Sequence, residues 1–283
     1  MAVSNSITNS NSNGKSTGNV ITAYLTRKEV ITQIDSVVGA KDSQRFISAV
    51  VSAVNNNPAL QTCTNASIFS AALLGEALKL HPSPQLGYYY MVPFDTKNGR
   101  VAQFQLGYKG YIQLALRSGQ YRKLNVVAIK EGELIRFDPM NEEIEVNLIE
   151  DEDEREQKET AGYYAMFEYT NGFRKAMYWS KAKMERHALK YSKGYQAKKG
   201  YTFWEKDFDG MAFKTMLRQL ISKWGIMSIE MVTAMDSDMA VINEDGSKTY
   251  VDNTDDPDMM DPTVTPAQTI DVPPEAITEL EDF

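Results

Sequence analysis

Apolar residues recur at three- and four-residue steps from Glu29 to Val54 (Val30, Ile34, Val37, Phe46, Ile47, Val50, Val54), with an interruption near Gly39. That spacing lines one face of a helix. Asn55-Asn56-Asn57-Pro58 ends the run, because proline lacks the amide a continuing helix needs. A second helix, capped by Asn65 or Ser67, turns Ile68, Ala72, Leu73, Ala77 and Leu80 inward and stops at His81-Pro82. Strands are expected at 87–94 and 100–105, flanking Thr96-Lys97-Asn98-Gly99. Asn-Gly there tolerates the positive φ of a tight hairpin. The spacing predicts a helix over 108–118, closed by Gly119. Further strands are expected at 124–129, 134–137 and 144–148, then a second hairpin joining 162–169 to 173–179 through Thr170-Asn171-Gly172. Ser180 caps a short basic helix to about Tyr191, a Gly/Lys/Tyr-rich loop covers 192–202, and a last helix runs from about Phe203 to Ser222.

This order predicts an α+β domain over residues 29–228, built of antiparallel β-hairpins packed with helices. Residues 1–28, rich in Ser, Asn, Thr and Gly, are expected to be disordered, and 229–283 to form an acidic flexible tail. Pro274–Phe283 could form a short amphipathic element there. At 283 residues and 42% hydrophobic, the chain can bury one good-sized core. Its apolar runs fall far short of the roughly 20 residues that span a bilayer, and the Asn/Ser-rich start does not read as a secretory signal. Cys63 stands alone, so no disulfide framework exists. It reads as a buried small residue, and the setting expected is the cytoplasm.

Net charge, −8, argues at first against a nucleic-acid partner. Its distribution reverses that. Lys97–Arg136 carries eight Lys/Arg against two acidic residues, and Gly172–Trp224 thirteen against four. Asp138–Thr160 and Glu230–Phe283 hold eleven and fifteen acidic residues. A phosphate backbone responds to local potential, not to whole-chain charge. Gly14-Lys15-Ser16 lacks the glycine five residues upstream that a phosphate-cradling loop requires, since Asn9 stands there, and no GxGxxG occurs. No nucleotide pocket, metal, cofactor or catalytic residue is therefore expected. His81 and His187 show no pattern that would partner Cys63 as a nucleophile.

Two helices carry the candidate DNA contacts. On 108–118, Lys109, Gln113 and Arg117 form a polar stripe opposite Tyr111, Ile112 and Ala115, and Arg122 and Lys123 follow the turn. On the last helix, Lys214 and Arg218 project together from a side distinct from Trp204, Phe208, Leu217 and Leu220. Like charges at i,i+4 cost a helix a few tenths of a kcal/mol unless an anion lies between them. Lys198 and Lys199 stand in the preceding loop, where Tyr191, Tyr195, Tyr201, Phe203 and Trp204 are candidates for base stacking. The alternatives are ordinary solvated cations and rings packed in the core.

Gln105–Gly119 (QLGYKGYIQLALRSG) resembles the signature of the RecT family of phage recombinases. Gly87-Tyr88-Tyr89-Tyr90-Met91-Val92-Pro93-Phe94 is similar to that family's lead-in, and Trp204 followed by Met211–Leu220 (MAFKTMLRQL) to its later helix. The three segments fall in the family's order across about residues 45–230 and suggest a Gram-positive phage or prophage type. The resemblance implies ATP-independent annealing of single strands and assembly as rings or helical filaments. It also implies a 5′→3′ exonuclease partner and contact with the host single-strand-binding protein. The implied fold is the core of lambda Beta-type annealing proteins. Lys109, Lys214, Thr215 and Arg218 then inherit a DNA-contact role by position, whereas Lys198 and Lys199 are assigned on charge alone.

The expected partners are single-stranded DNA, the annealed duplex and further copies of the chain, with no membrane. Two rivals remain. A Mg²⁺-dependent nuclease would need gathered carboxylates, but Glu76, Asp95, Glu131, Glu133 and Glu168 show no ligand spacing. An RNA-binding or packaging protein would use the same basic faces on a different helix geometry.

Overall fold

The computed structural model describes residues 18–250 except 97, 98, 201 and 244. Four helices come first: α1 (Gly18–Leu25), α2 (Lys28–Val38), α3 (Ser43–Asn55) and α4 (Asn65–Ala77). Gly39 separates α2 from α3 at φ +85°, a conformation that costs little only without a Cβ. The buried face expected between 29 and 54 is present in Val30, Ile34, Phe46, Ile47, Val50 and Val54. α1 adds Ile21 and Leu25 to it, upstream of the expected start of the core. Thr64, not Asn65 or Ser67, is the N-cap of α4. The Ser67 hydroxyl instead accepts the Ala102 amide at 2.8 Å and ties α4 to the sheet.

Strands β1 (Tyr89–Thr96) and β2 (Gly99–Leu106) pair antiparallel from Tyr89↔Leu106 to Thr96↔Gly99. Pro93 is accommodated because β1 is an edge strand. Helix α5 (Tyr108–Arg117) follows, then β3 (Tyr121–Lys130), β4 (Leu134–Asp138), β5 (Glu143–Val146) and a short acidic helix α6 (Glu152–Gln157). β6 (Thr160–Tyr169) and β7 (Arg174–Ser180) form the second hairpin, with Gly172 at φ +86° in its turn. A three-stranded sheet, β3-β6-β7, results. Its central strand β6 is covered on both faces. Tyr163, Ala165 and Phe167 enter the main core, while Tyr164 and Met166 meet Leu134, Phe137, Ile144 and Val146 of the β4–β5 hairpin. Alternate residues of a strand point to opposite faces, so the near-continuous apolar run of β6 reflects this double cover.

The rest of the chain supplies α7 (Lys181–Tyr191), α8 (Lys193–Gln196), α9 (Phe203–Lys206) and α10 (Phe208–Trp224). After these come α11 (Ile229–Ser237), β8 (Ala240–Ile242) and β9 (Lys248–Tyr250). β8 pairs with β2 at Phe104↔Ala240, completing a four-stranded sheet ordered β1-β2-β8-β9. The expected fold class holds: the molecule is α+β, with antiparallel hairpins against helices. The expected core limit at residue 228 does not. Met231, Ala234, Met235 and Val241 are buried, so a segment read from its acidity as linker is part of the fold. The expectations for residues 1–17 and 251–283, including Pro274–Phe283, lie outside the described residues.

Candidate nucleic-acid interface

The glycines of the 105–119 segment make a close crossing of two backbones. A Cβ on Gly107 would lie 2.2 Å from the Gly87 carbonyl oxygen, and one on Gly110 2.1 Å from that of Tyr88. The Gly107 amide donates to the Tyr88 carbonyl at 2.9 Å. α5 is thereby seated on the chain that enters β1. Lys109 stands exposed at this seat. A Cβ on Gly87, itself at φ +66°, would be 3.1 Å from Tyr90 Oη and 3.3 Å from Lys109 Cδ, so the two side chains flank one backbone position. The Tyr90 ring then meets Phe203, centroid to centroid at 5.6 Å. Burial raises the Tyr90 phenol pKa, with Asp207 and Tyr108 adding to the effect.

Phe203 is exposed and ends the loop bearing Lys198 and Lys199. Glu205 fixes that loop, accepting the Gly200 amide at 2.8 Å, the Thr202 amide at 3.0 Å and the Thr202 hydroxyl at 2.7 Å. Lys198 and Lys199 are both exposed. Lys109, Tyr90, Phe203 and the Lys198–Lys199 loop therefore lie next to one another, although they come from three separate stretches of sequence. Of the rings expected to stack, Trp204 is buried against Phe208 at 5.1 Å, and Tyr195 packs on both. Tyr201 lies outside the described residues. Tyr90, within the strand expected at 87–94 and not among the expected stacking rings, joins the site instead.

Lys214, Thr215 and Arg218 are placed elsewhere. Lys214 and Thr215 are buried, and the Thr215 hydroxyl donates to the Met211 carbonyl at 2.9 Å. Lys214 Nζ lies 2.8 Å from Asp238 Oδ1 and Arg218 Nη1 2.9 Å from Asp238 Oδ2. Asp238 is fully buried and also accepts the Leu106 amide at 2.9 Å and the Tyr111 hydroxyl at 3.3 Å. Burial pushes the Lys214 pKa down, opposed by the adjacent carboxylate. Lys214 and Arg218 do project together, as expected, but their charges meet a buried carboxylate of this protein. The i,i+4 pair does have an anion between its charges, and that anion is a side chain of this protein.

Family-model comparison matches the RecT family over residues 44–255. The chain is 41% identical over 241 residues to "Uncharacterized protein YqaK" of Bacillus subtilis (strain 168), covering 85% of this chain and 78% of that protein. It is 30% identical over 200 residues to "Protein RecT" of Escherichia coli (strain K12), covering 69% and 71%. The chain belongs to the RecT family. Membership supports DNA binding and single-strand annealing in recombination. The match runs past Asp238 and through β9, so the first part of the segment read as tail, residues 229–255, falls within the RecT region.

The remaining candidate positions of this RecT-family chain are dispersed. Arg117 donates to the carbonyls of Leu78 at 2.8 Å and Lys79 at 2.7 Å, closing the end of α4. Arg122 faces Glu168 at 3.1 Å, Lys123 is exposed on β3 and Gln113 is half-buried on α5. Four of the five carboxylates considered for a nuclease are engaged in ion pairs: Glu76 with Arg45 (3.9 Å), Asp95 with Arg100 (3.2 Å), Glu133 with Arg155 (2.5 Å) and Glu168 with Arg122. Among the described residues no group of His, Cys, Asp or Glu could hold a metal ion. Burial raises the Cys63 thiol to about 11, so at neutral pH it is protonated and weakly nucleophilic. No described helix is long and apolar enough to cross a membrane.

Proposed function

We propose that this protein binds single-stranded DNA and anneals complementary strands without hydrolysing a nucleotide and without a cofactor, working as an oligomer or filament in the bacterial cytoplasm. The observation that carries the reading is the meeting of Lys109, Tyr90 and Phe203 beside the Lys198–Lys199 loop. Annealing is downhill by itself, each base-pair step returning about 1.4 kcal/mol of stacking. Its obstacles are phosphate repulsion and self-structure in the separate strands. Lysines neutralise the backbone, and rings hold bases by their faces while leaving the pairing edges open. Lys109, Lys198 and Lys199 contact phosphate, and Lys123 extends the cationic surface. Lys214, Thr215 and Arg218 act indirectly, by fixing the helix behind the site. The RecT family relationship favours an exonuclease that exposes the strands and a host single-strand-binding protein as further partners.

The test is a fluorescence assay of two complementary oligonucleotides with purified protein and no ATP. Annealing is expected from the wild type. Lys109→Ala with Phe203→Ala should lower single-strand affinity by roughly tenfold or more, since one stacked base alone is worth about 1–3 kcal/mol. An absolute requirement for ATP, or Mg²⁺-dependent loss of the labelled strand, would overturn the reading.

A further inference from the structure

Lys183 stands in the first turn of α7 and Lys223 in the last turn of α10. Burial lowers the Lys183 pKa, and the charges of Lys223 and Arg186 lower it further, so three cations from two elements crowd one place. Most other cations of this sheet and its surroundings have acidic partners: Lys175 has Glu142, Lys181 has Glu159, Arg122 has Glu168 and Arg155 has Glu133. Among the described residues no carboxylate pairs with Lys183, Arg186 or Lys223. The helix's own acid, Glu185, acts on Tyr195 instead.

Rings line the same helix. The Lys183 ammonium lies 4.2 Å from the centroid of Trp179, whose ring meets His187 at 5.5 Å. His187 in turn meets Tyr191 at 4.5 Å. Lys183, Arg186, His187 and Tyr191 follow three- and four-residue steps, which place them along one side of α7. All three rings are partly exposed. This is a row of uncompensated cations beside a row of π-faces, the chemistry that holds a single strand by phosphates and bases together.

We propose that α7 and the end of α10 form a further single-stranded-DNA docking face, with Lys183, Arg186 and Lys223 on phosphates and Trp179 and Tyr191 available to bases. The proposal rests on the annealing function above. Tyr195, just beyond α7, packs on Phe208 at the start of α10 (6.2 Å), and the charge of Lys223, at the other end of α10, reaches Lys183. At 1.5 Å per residue, Phe208 and Lys223 are about 22 Å apart. That distance corresponds to roughly six phosphates at the per-strand spacing of DNA. The Lys223 end of the new face is therefore far enough from the start of α10 to take either a later stretch of the same strand or a second strand.

The experiment compares wild type, Lys109→Ala/Phe203→Ala, and Lys183→Ala/Arg186→Ala/Lys223→Ala by titration with a short oligonucleotide and a long one of the same composition, at several salt concentrations. Thermal unfolding serves to show that the triple variant is folded. If the face holds a later stretch of the strand already bound, the triple variant should bind the long oligonucleotide more weakly. Its slope of log affinity against log salt should be shallower by about two, since each single-strand phosphate contributes about 0.7. If the face holds a later stretch of one strand, the defect appears only with the long oligonucleotide. If it holds a second strand, long-strand binding at first-strand stoichiometry is intact, but the second equivalent and the annealing rate are lost. A wild type that binds no single strand would sink the functional reading itself. A wild type that binds and anneals, beside a triple variant with unchanged slope, stoichiometry and rate, would overturn only this face. A triple variant altered solely in self-association would assign the face to a protein partner and overturn it equally.

Discussion

Asp238 is the residue on which the chain's buried polar chemistry turns. It compensates two cations and accepts a backbone amide and a phenol, with no exposure of its own. Removing one partner of a buried ion pair leaves the other uncompensated and costs about 3–5 kcal/mol. Asp238→Asn is expected to lose roughly that much in urea unfolding, because Lys214 then faces an amide. Lys214→Met in the same background should recover part of the loss by removing the stranded charge. Equal stability of Asp238→Asn and wild type would show that the carboxylate does not hold the two cations. The like-charged i,i+4 pair was legible in the sequence, and so was its need for an anion. The source of the anion was not, because a carboxylate twenty residues downstream in an acidic stretch looks no different from its solvated neighbours.

At the level of elements, motif and geometry can be separated. Gly107 and Gly110 are required because backbone carbonyls lie 2.2 and 2.1 Å from where their Cβ atoms would stand. Gly119 has φ +67° but open space around it. Gly110→Ala must displace the backbone entering β1 and is expected at the upper end of the 1–3 kcal/mol that overpacking costs. Gly119→Ala meets only the left-handed penalty of about 1–2 kcal/mol. Gly110→Ala should also lower single-strand affinity by moving Lys109 relative to Tyr90, whereas Gly119→Ala should not. Equal effects of the two substitutions on affinity would refute the seat. Elements with a strong apolar period or an Asn-Gly turn were legible: both hairpins, α5, α10 and the α2–α3 pair. α6 was hidden because it buries no residue. α11 was hidden for the opposite reason. Met231, Ala234 and Met235 carry a helical period, but acidity and scattered polar residues suggested linker. The Lys109–Tyr90–Phe203 site was legible only in parts, since no local pattern announces that residues 90 and 203 will meet.

Across the whole molecule, the position of Asp238 decides where the chain can be cut. A chain ending at Ser228 loses α11, β8, β9 and the carboxylate between Lys214 and Arg218, and it bares the β2 edge at Phe104. A chain ending at Asp252 keeps every described element. It sheds a segment with nine acidic residues and no Lys or Arg, whose charge would repel DNA more than attract it. The Asp252 truncation is therefore expected to unfold at the wild-type midpoint and to anneal purified oligonucleotides at least as fast as the full chain. If the removed residues recruit a partner, it should nonetheless recombine poorly in cells. The Ser228 truncation should fail to fold cooperatively. Should the shorter chain retain a cooperative transition and annealing activity, α11 to β9 would be an appendage, and the buried Lys214 would have to find its counter-charge elsewhere. Should the Asp252 truncation lose annealing in the purified assay, the acidic segment takes part in strand pairing itself.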